Sequence, residues 1–142
     1  MRKKTEQIAL SELMQAVGLL IRRMRAASSG HGLSMGESMA LARLEREGPA
    51  TTADLARAEG VKPQSMGATV SALEEMGFVE RKPDKSDGRQ MIVSITAKGA
   101  AVRKSASEAK HAWLSEAVAK LNPEDRATLF AAGKIIRQLA EL

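Results

Sequence analysis

A charged turn between two short apolar stretches, residues 81–99, limits what this chain can fold into more than any other segment. Residues 83–88 are rich in Pro, Asp, Ser and Gly, which favour turns. Apolar residues alternate on both sides, most clearly in residues 91–95, with the period of a strand. The segment predicts a β-hairpin with Lys85 and Arg89 at its tip, a shape that can enter a DNA minor groove. An ordinary solvated hairpin is the alternative.

Helical periodicity precedes the hairpin. Apolar residues three and four apart predict an amphipathic helix over residues 5–27, followed by turn chemistry at residues 28–32. Ser34 and Glu37 have the spacing of a capping box, which predicts the start of a second helix. Gly and Pro at positions 48–49 end that helix.

Two short helices joined by a Gly-containing turn come next. Thr51 is expected to cap the first, and Pro63 suits the opening turn of the second, which should end at Gly77. Three apolar residues share one face of the second helix and are predicted to pack inward: Met66, Val70 and Leu73. Its other face carries small and polar side chains, which allow the helix to approach base edges closely in a major groove. A helix packed on another protein is the alternative.

The element order defines the predicted fold class. A helix-turn-helix followed directly by a hairpin is a winged helix. Thr96 is expected to cap a fifth helix, and Asn122 with Pro123 predicts the start of a sixth. We therefore predict a mainly α protein with a small β-hairpin wing (α+β), in which residues 34–96 form the winged helix-turn-helix and helices flank it on both sides.

Composition excludes several classes of function. The 142 residues suffice for one domain or two small subdomains. Cysteine is absent, which excludes disulfides and thiolate metal sites, and the two histidines are far apart, so we expect no metal site and no cofactor. No nucleophile–base pair or phosphate-binding loop stands out, so we do not expect an enzyme. No apolar run approaches the ~20 residues needed to span a bilayer, and no signal peptide is apparent, so we expect a cytoplasmic protein without membrane contact.

Net charge gives only weak support to a DNA partner. The chain carries +5, which favours an anionic partner. However, residues 31–95 hold eight basic and ten acidic side chains, so the excess lies in the flanking segments.

The chain resembles the MarR family of winged-helix transcriptional regulators. The match begins at Thr52-Ala-Asp-Leu-Ala and continues through Leu73-Glu-Glu-Met-Gly-Phe-Val-Glu-Arg81. The family's wing pattern, Asp, any residue and Arg, stands here as Asp87-Gly88-Arg89. The signature is completed by Asp84, Ile95, Thr96 and Gly99.

The resemblance implies a homodimer, with residues 1–33 and 97–142 as a helical dimerisation region. Apolar faces on the first and last helices favour a dimer independently, and a monomeric core closed by these helices is the alternative. The family binds pseudo-palindromic double-stranded DNA, commonly as a repressor, and a small lipophilic or aromatic-acid effector modulates many members. The expected DNA-binding residues are Lys62, Pro63, Gln64, Ser65, Ala68, Thr69, Ser71, Lys85, Asp87 and Arg89. The expected effector pocket is lined by Met14, Val17, Met24, Met35 and Met39.

The second helix of the helix-turn-helix, which is the recognition helix of this family, departs from the family pattern. Members commonly carry Arg on its outward face, where this chain has Ala68 and Ala72. Direct readout of guanine by Arg is therefore not available from this helix. Asp87 is expected to orient the guanidinium of Arg89, and the wing to supply shape readout. A winged-helix module that binds a protein, with weak or no DNA binding, remains the competing hypothesis.

Overall fold

The computed structural model describes residues 1–29 and 31–142, and these contain six helices and three strands. Gly30, inside the turn predicted at residues 28–32, lies outside the described residues. The predicted fold class, a mainly α winged helix with a small sheet, is confirmed. In chain order the elements are α1 (Arg2–Ala27), α2 (Met35–Glu47), β1 (Ala50–Thr51), α3 (Thr52–Glu59), α4 (Pro63–Glu75), β2 (Val79–Pro83), β3 (Met91–Ile95), α5 (Ala97–Ala119) and α6 (Pro123–Ala140).

The elements form two compact units, one made of Ser28–Glu108 and one made of Met1–Ala27 with Ala109–Leu142. The first unit contains a three-stranded antiparallel sheet with the strand order β1-β3-β2. The hairpin of β2 and β3 places Arg81 opposite Val93 and Pro83 opposite Met91. α5 begins in the first unit and ends in the second.

The core of the Ser28–Glu108 unit joins α2, α3 and α4 to the sheet. The predicted inward face of α4 is confirmed, since Met66, Val70 and Leu73 are 3%, 0% and 0% exposed. Burial of these and the other apolar side chains of the core away from water is the main contribution to the stability of this unit. The other buried members of this cluster are Ala40, Leu41, Leu44, Leu55, Ala56, Phe78, Val79 and Val93.

The caps predicted at the starts of α2, α3 and α6 are present in the structure. Ser34 and Glu37 form a reciprocal capping box at the start of α2. The Thr51 hydroxyl accepts the backbone N–H of Asp54 at the start of α3, and Asn122 does the same for Asp125 at α6. Each cap satisfies a backbone donor that the first helical turn leaves without a partner.

The start of one helix and one strand differ from the prediction. α1 begins at Arg2 and not at Thr5. The strand β1 was not predicted at all. Its two residues pair with Val93 and Ile92 through the backbone, so no side-chain periodicity marks it in the sequence.

The second unit leaves much apolar surface exposed. Neither α1 nor α6 contains a buried residue. Within this unit the Arg126 guanidinium donates to the carbonyl oxygen of Val118 near the end of α5 and to that of Leu121, two residues beyond the helix. Arg23 lies over the ring of Trp113, 5.9 Å from its centroid.

Candidate nucleic-acid interface

The turn of the helix-turn-helix is fixed by backbone geometry and by one arginine. Gly60 ends α3 in the left-handed conformation at φ 66°, which glycine adopts without strain. From α2, Arg43 Nε donates to Glu59 Oε1 at 2.6 Å, and Nη2 donates to the carbonyl oxygen of Ala58. The hydrogen bond to Glu59 is the main cause of a raised pKa at Arg43, and a second to Glu47 adds to it. Arg43 therefore holds the end of α3 just before the turn.

α4 presents an exposed face of small and polar side chains. Pro63 occupies the first helical turn, where its missing N–H leaves no hydrogen bond unmade. Of the predicted DNA-binding residues, α4 and its N-cap hold seven, and only Thr69 is half-buried. The exposed six are Lys62, Pro63, Gln64, Ser65, Ala68 and Ser71. The structure thus brings these side chains together on one solvent-facing surface.

The wing tip is organised by two aspartates that bind backbone. Asp84 Oδ1 accepts the backbone N–H and the hydroxyl of Ser86. Asp87 Oδ1 accepts the backbone N–H of Arg89 at 3.1 Å. Such Asx turns fix a tight loop without help from neighbouring elements. The tip therefore has a defined shape, and Lys85, Asp87 and Arg89 are all exposed on it.

The expected pairing of Asp87 with the Arg89 guanidinium is wrong. Within the described residues, the guanidinium has no hydrogen bond or ion pair, and Asp87 binds the backbone N–H of Arg89. The carboxylate sits two residues before Arg89, where closing the turn satisfies it locally. Asp87 consequently shapes the backbone that carries Arg89, and the guanidinium itself stays available.

Arg81 is not among the predicted site residues, yet its side chain contacts the exposed face of α4, and strand alternation could have located it there. It follows the buried Val79 by two residues and pairs with the buried Val93, so it belongs to the inner face of the hairpin. Its Nη2 donates to Ser71 Oγ on α4 at 2.6 Å, and its Nε lies 3.7 Å from Glu74 Oε2. The wing and the exposed face of α4 are therefore linked by one side chain.

The end of α4 is also tied to the start of α5. Thr96 Oγ1 donates to the carbonyl oxygen of Gly77 at 2.6 Å, and Lys98 Nζ donates to that of Met76 at 2.9 Å. Gly99 packs so closely that a Cβ there would overlap the carbonyl oxygen of Phe78. These contacts satisfy carbonyls that a helix end leaves without partners, and they fix α4 from its C-terminal side.

The predicted effector-pocket residues fall in both units. Met14, Val17 and Met24 lie on α1, whereas Met35 and Met39 lie on α2. The pocket stays a prediction. Within residues 1–29 and 31–142, no cluster of three or more His, Asp or Glu side chains could hold a metal ion.

In the described part of the chain, no helix has the length and apolarity that a bilayer crossing requires.

A helix-turn-helix followed at once by a β-hairpin wing defines the winged-helix class of protein. Comparison with known proteins supports the same class. The model of the MarR family matches residues 33–91. An HTH-type transcriptional regulator of Mycobacterium tuberculosis is 37% identical over 131 residues, which are 92% of each chain.

A second relative and one solved structure extend the comparison. An HTH-type transcriptional repressor of the same bacterium is 34% identical over 119 residues, covering 82% of this chain and 86% of its own. BpsR of Bordetella bronchiseptica, whose DNA binding is regulated by 6-hydroxynicotinic acid, shares the fold with a TM-score of 0.68 and 17% identity. That match covers 93% of this chain and 92% of the other. This chain belongs to the MarR family and is a transcriptional regulator, not an enzyme.

Proposed function

We propose that this chain is a homodimeric, DNA-binding repressor that recognises a pseudo-palindromic operator. In this proposal α4 enters the major groove, and the wing reaches the adjacent minor groove. Residues 34–96 bind DNA, and residues 1–33 and 97–142 form the dimer. The relative that is named a repressor supports this sign of regulation.

The observation that carries the proposal is the exposed, small and polar face of α4 on a fixed helix-turn-helix. Gln64 offers an amide that can pair with adenine, and Ser65 offers a hydroxyl that accepts or donates. Ala68 leaves room for a thymine methyl group or for close backbone approach. A face of this kind fits base edges, and its lack of Arg predicts a preference for A·T-rich half-sites.

The wing supplies the exposed cation that minor-groove binding requires. Arg89 stands on a loop that Asp84 and Asp87 hold rigid through backbone contacts. Its guanidinium makes no ion pair within the part of the chain that the structure describes, so no internal contact must break when it meets DNA. Narrow A·T-rich minor grooves attract such a side chain through their negative potential.

The dimer is supported by apolar side chains that the chain itself leaves in solvent. On α1 the exposed fractions are 54% at Leu10, 49% at Leu13 and 54% at Ile21. On α6 Phe130 is 62% and Ile135 is 59% exposed. Surface of this extent is typical of an interface, and a second copy of the chain would remove it from water.

A small effector is the third part of the proposal. BpsR has the same fold, and 6-hydroxynicotinic acid regulates its DNA binding. An aromatic acid or a lipophilic molecule is therefore the first class of ligand to test here. Met14, Val17, Met24, Met35 and Met39 are the residues proposed to contact it, since methionine adapts to varied apolar shapes.

Selection of duplexes from a random DNA pool tests the proposal directly. We expect enrichment of an inverted repeat with half-sites about one helical turn apart. Arg89→Ala should then weaken binding of the selected duplex by roughly 1–3 kcal/mol. Lys120→Ala removes the same charge from the exposed residue after α5 and should change little. Equal affinity of Arg89→Ala and wild type would remove the wing from the DNA interface.

A protein-binding module is the second candidate. Residues 31–95 carry more acidic than basic side chains, and α4 has no Lys or Arg. Nonspecific DNA affinity comes from neutralised phosphates and falls steeply with salt. If no duplex binds even at low salt, a protein partner replaces DNA as the target of the exposed α4 face.

A further inference from the structure

The recognition helix carries the wrong charge for its proposed partner. α4 spans Pro63–Glu75 and contains two glutamates, Glu74 and Glu75, with no Lys or Arg. Its own side chains therefore contribute −2 to a surface that must approach phosphates. A cation from another element is needed beside this helix if it is to bind DNA tightly.

Arg81 places such a cation on α4 from the neighbouring strand β2. Because Arg81 is paired with the fully buried Val93, its aliphatic stem begins on the inner face of the hairpin. The guanidinium then emerges beside α4, where the Ser71 hydroxyl accepts from Nη2. The side chain remains 28% exposed. It is therefore anchored, and it still reaches solvent.

The guanidinium keeps hydrogen-bond donors to spare. Arg has five N–H donors in a planar fork, and the single hydrogen bond seen for this group within the described residues goes to Ser71. Glu74 approaches Nε at 3.7 Å, which is an ion-pair distance but too long for a hydrogen bond. Nε is itself buried, whereas Nη1, a terminal nitrogen of the guanidinium, has no hydrogen-bond partner among the described residues.

We propose that Arg81 is a DNA-contacting residue that binds a backbone phosphate at the edge of the major groove. Ser71 and Glu74 lie in the C-terminal half of α4, whereas base edges are read from the N-terminal residues of a recognition helix. Arg81 is therefore positioned to contact a phosphate and not a base edge, and its hydrogen bond to Ser71 holds the guanidinium there. The inference rests on the proposed DNA-binding function.

The test is the salt dependence of binding to a selected duplex. Each neutralised phosphate contributes about 0.9 to the slope of log K against log salt. Arg81→Met should therefore reduce the slope by about 1.8 for a dimer. Arg81→Lys should restore most of it, because the charge is kept. Ser71→Ala should weaken binding but leave the slope near that of wild type, and Lys120→Met should change neither.

An unchanged slope for folded Arg81→Met would overturn the inference and leave Arg81 as a counterion of Glu74. If Arg81→Met does not fold, the matched pair Glu74→Gln and Glu75→Gln decides. Both remove one negative charge from α4, but only the first frees Arg81, so it should strengthen binding more. Equal effects would also overturn the inference. Wild-type protein that binds no duplex contradicts the proposed function itself, which separates the two failures.

Discussion

A single methyl group added at Gly99 should disturb the contact between the end of α4 and the start of α5. In Gly99→Ala the new Cβ overlaps the Phe78 carbonyl oxygen and lies 2.9 Å from Cγ1 of Ile95. A backbone oxygen cannot rotate away as the end of a flexible side chain can. The two segments must therefore separate, and the hydrogen bond from Thr96 to Gly77 stretches with them.

The size of the effect follows from two opposing contributions. Overpacking a tight site costs typically 1–3 kcal/mol, and the backbone overlap places this site at about the upper end. Replacing Gly by Ala inside a helix stabilises the helix by about 1 kcal/mol, which offsets part of this cost. We expect a net loss of about 2 kcal/mol in the free energy of unfolding, together with weaker DNA binding because α4 shifts.

Urea unfolding followed by circular dichroism measures the loss. All variants are compared at one protein concentration, because dimerisation makes apparent stability depend on it. Gly36→Ala in α2 is the matched control, since its Cβ meets no atom within 4 Å, and it should gain up to about 1 kcal/mol. If Gly99→Ala is as stable as Gly36→Ala, the close contact at the α4–α5 junction does not exist in solution.

Three further results are expected. Arg43→Met should lower the urea midpoint, because the Glu59 side chain, 9% exposed, loses its partner. The double variant Arg43→Met with Glu59→Gln should lose less free energy of unfolding than the sum of the two single variants. Simple additivity of the two losses would refute the coupling. Gly67→Ala should raise the free energy of unfolding by about 1 kcal/mol, because alanine favours a helix over glycine. It should also weaken DNA binding, because the added methyl group on the outer face of α4 holds the helix backbone away from the bases. Tighter DNA binding would contradict a DNA-facing outer face of α4. Leu13→Glu should yield monomers in sedimentation velocity with helicity retained, and an unchanged dimer would exclude α1 from the interface.

Local chemistry made much of the fold predictable. Caps at Ser34, Thr51 and Asn122 involve residues three apart, so the sequence contains both partners of each hydrogen bond. The inward face of α4 follows from helical spacing alone. The hairpin follows from its turn residues and alternating strands, and the helix order then identifies the winged helix.

The parts that were missed depend on contacts between elements distant in sequence. β1 exists because its backbone pairs with β3, and two residues are too few to show a period. The contact between Arg81 and α4 is a hydrogen bond to Ser71, ten residues away in sequence. The sequence places Asp87 close to Arg89 but does not show which group of Arg89 its carboxylate contacts. In the structure that carboxylate accepts the backbone N–H of Arg89 and not a hydrogen bond from the guanidinium.

Hydroxyl-radical footprinting of a selected duplex examines the proposed binding mode at single-nucleotide resolution. A dimer with two recognition helices and two wings should protect the backbone symmetrically at sites about 34 Å apart. Protection of the flanking minor grooves should disappear in Arg89→Ala while the central protection persists. One asymmetric footprint, or none at low salt, would contradict a dimeric winged-helix repressor that reads DNA with α4 and the wing.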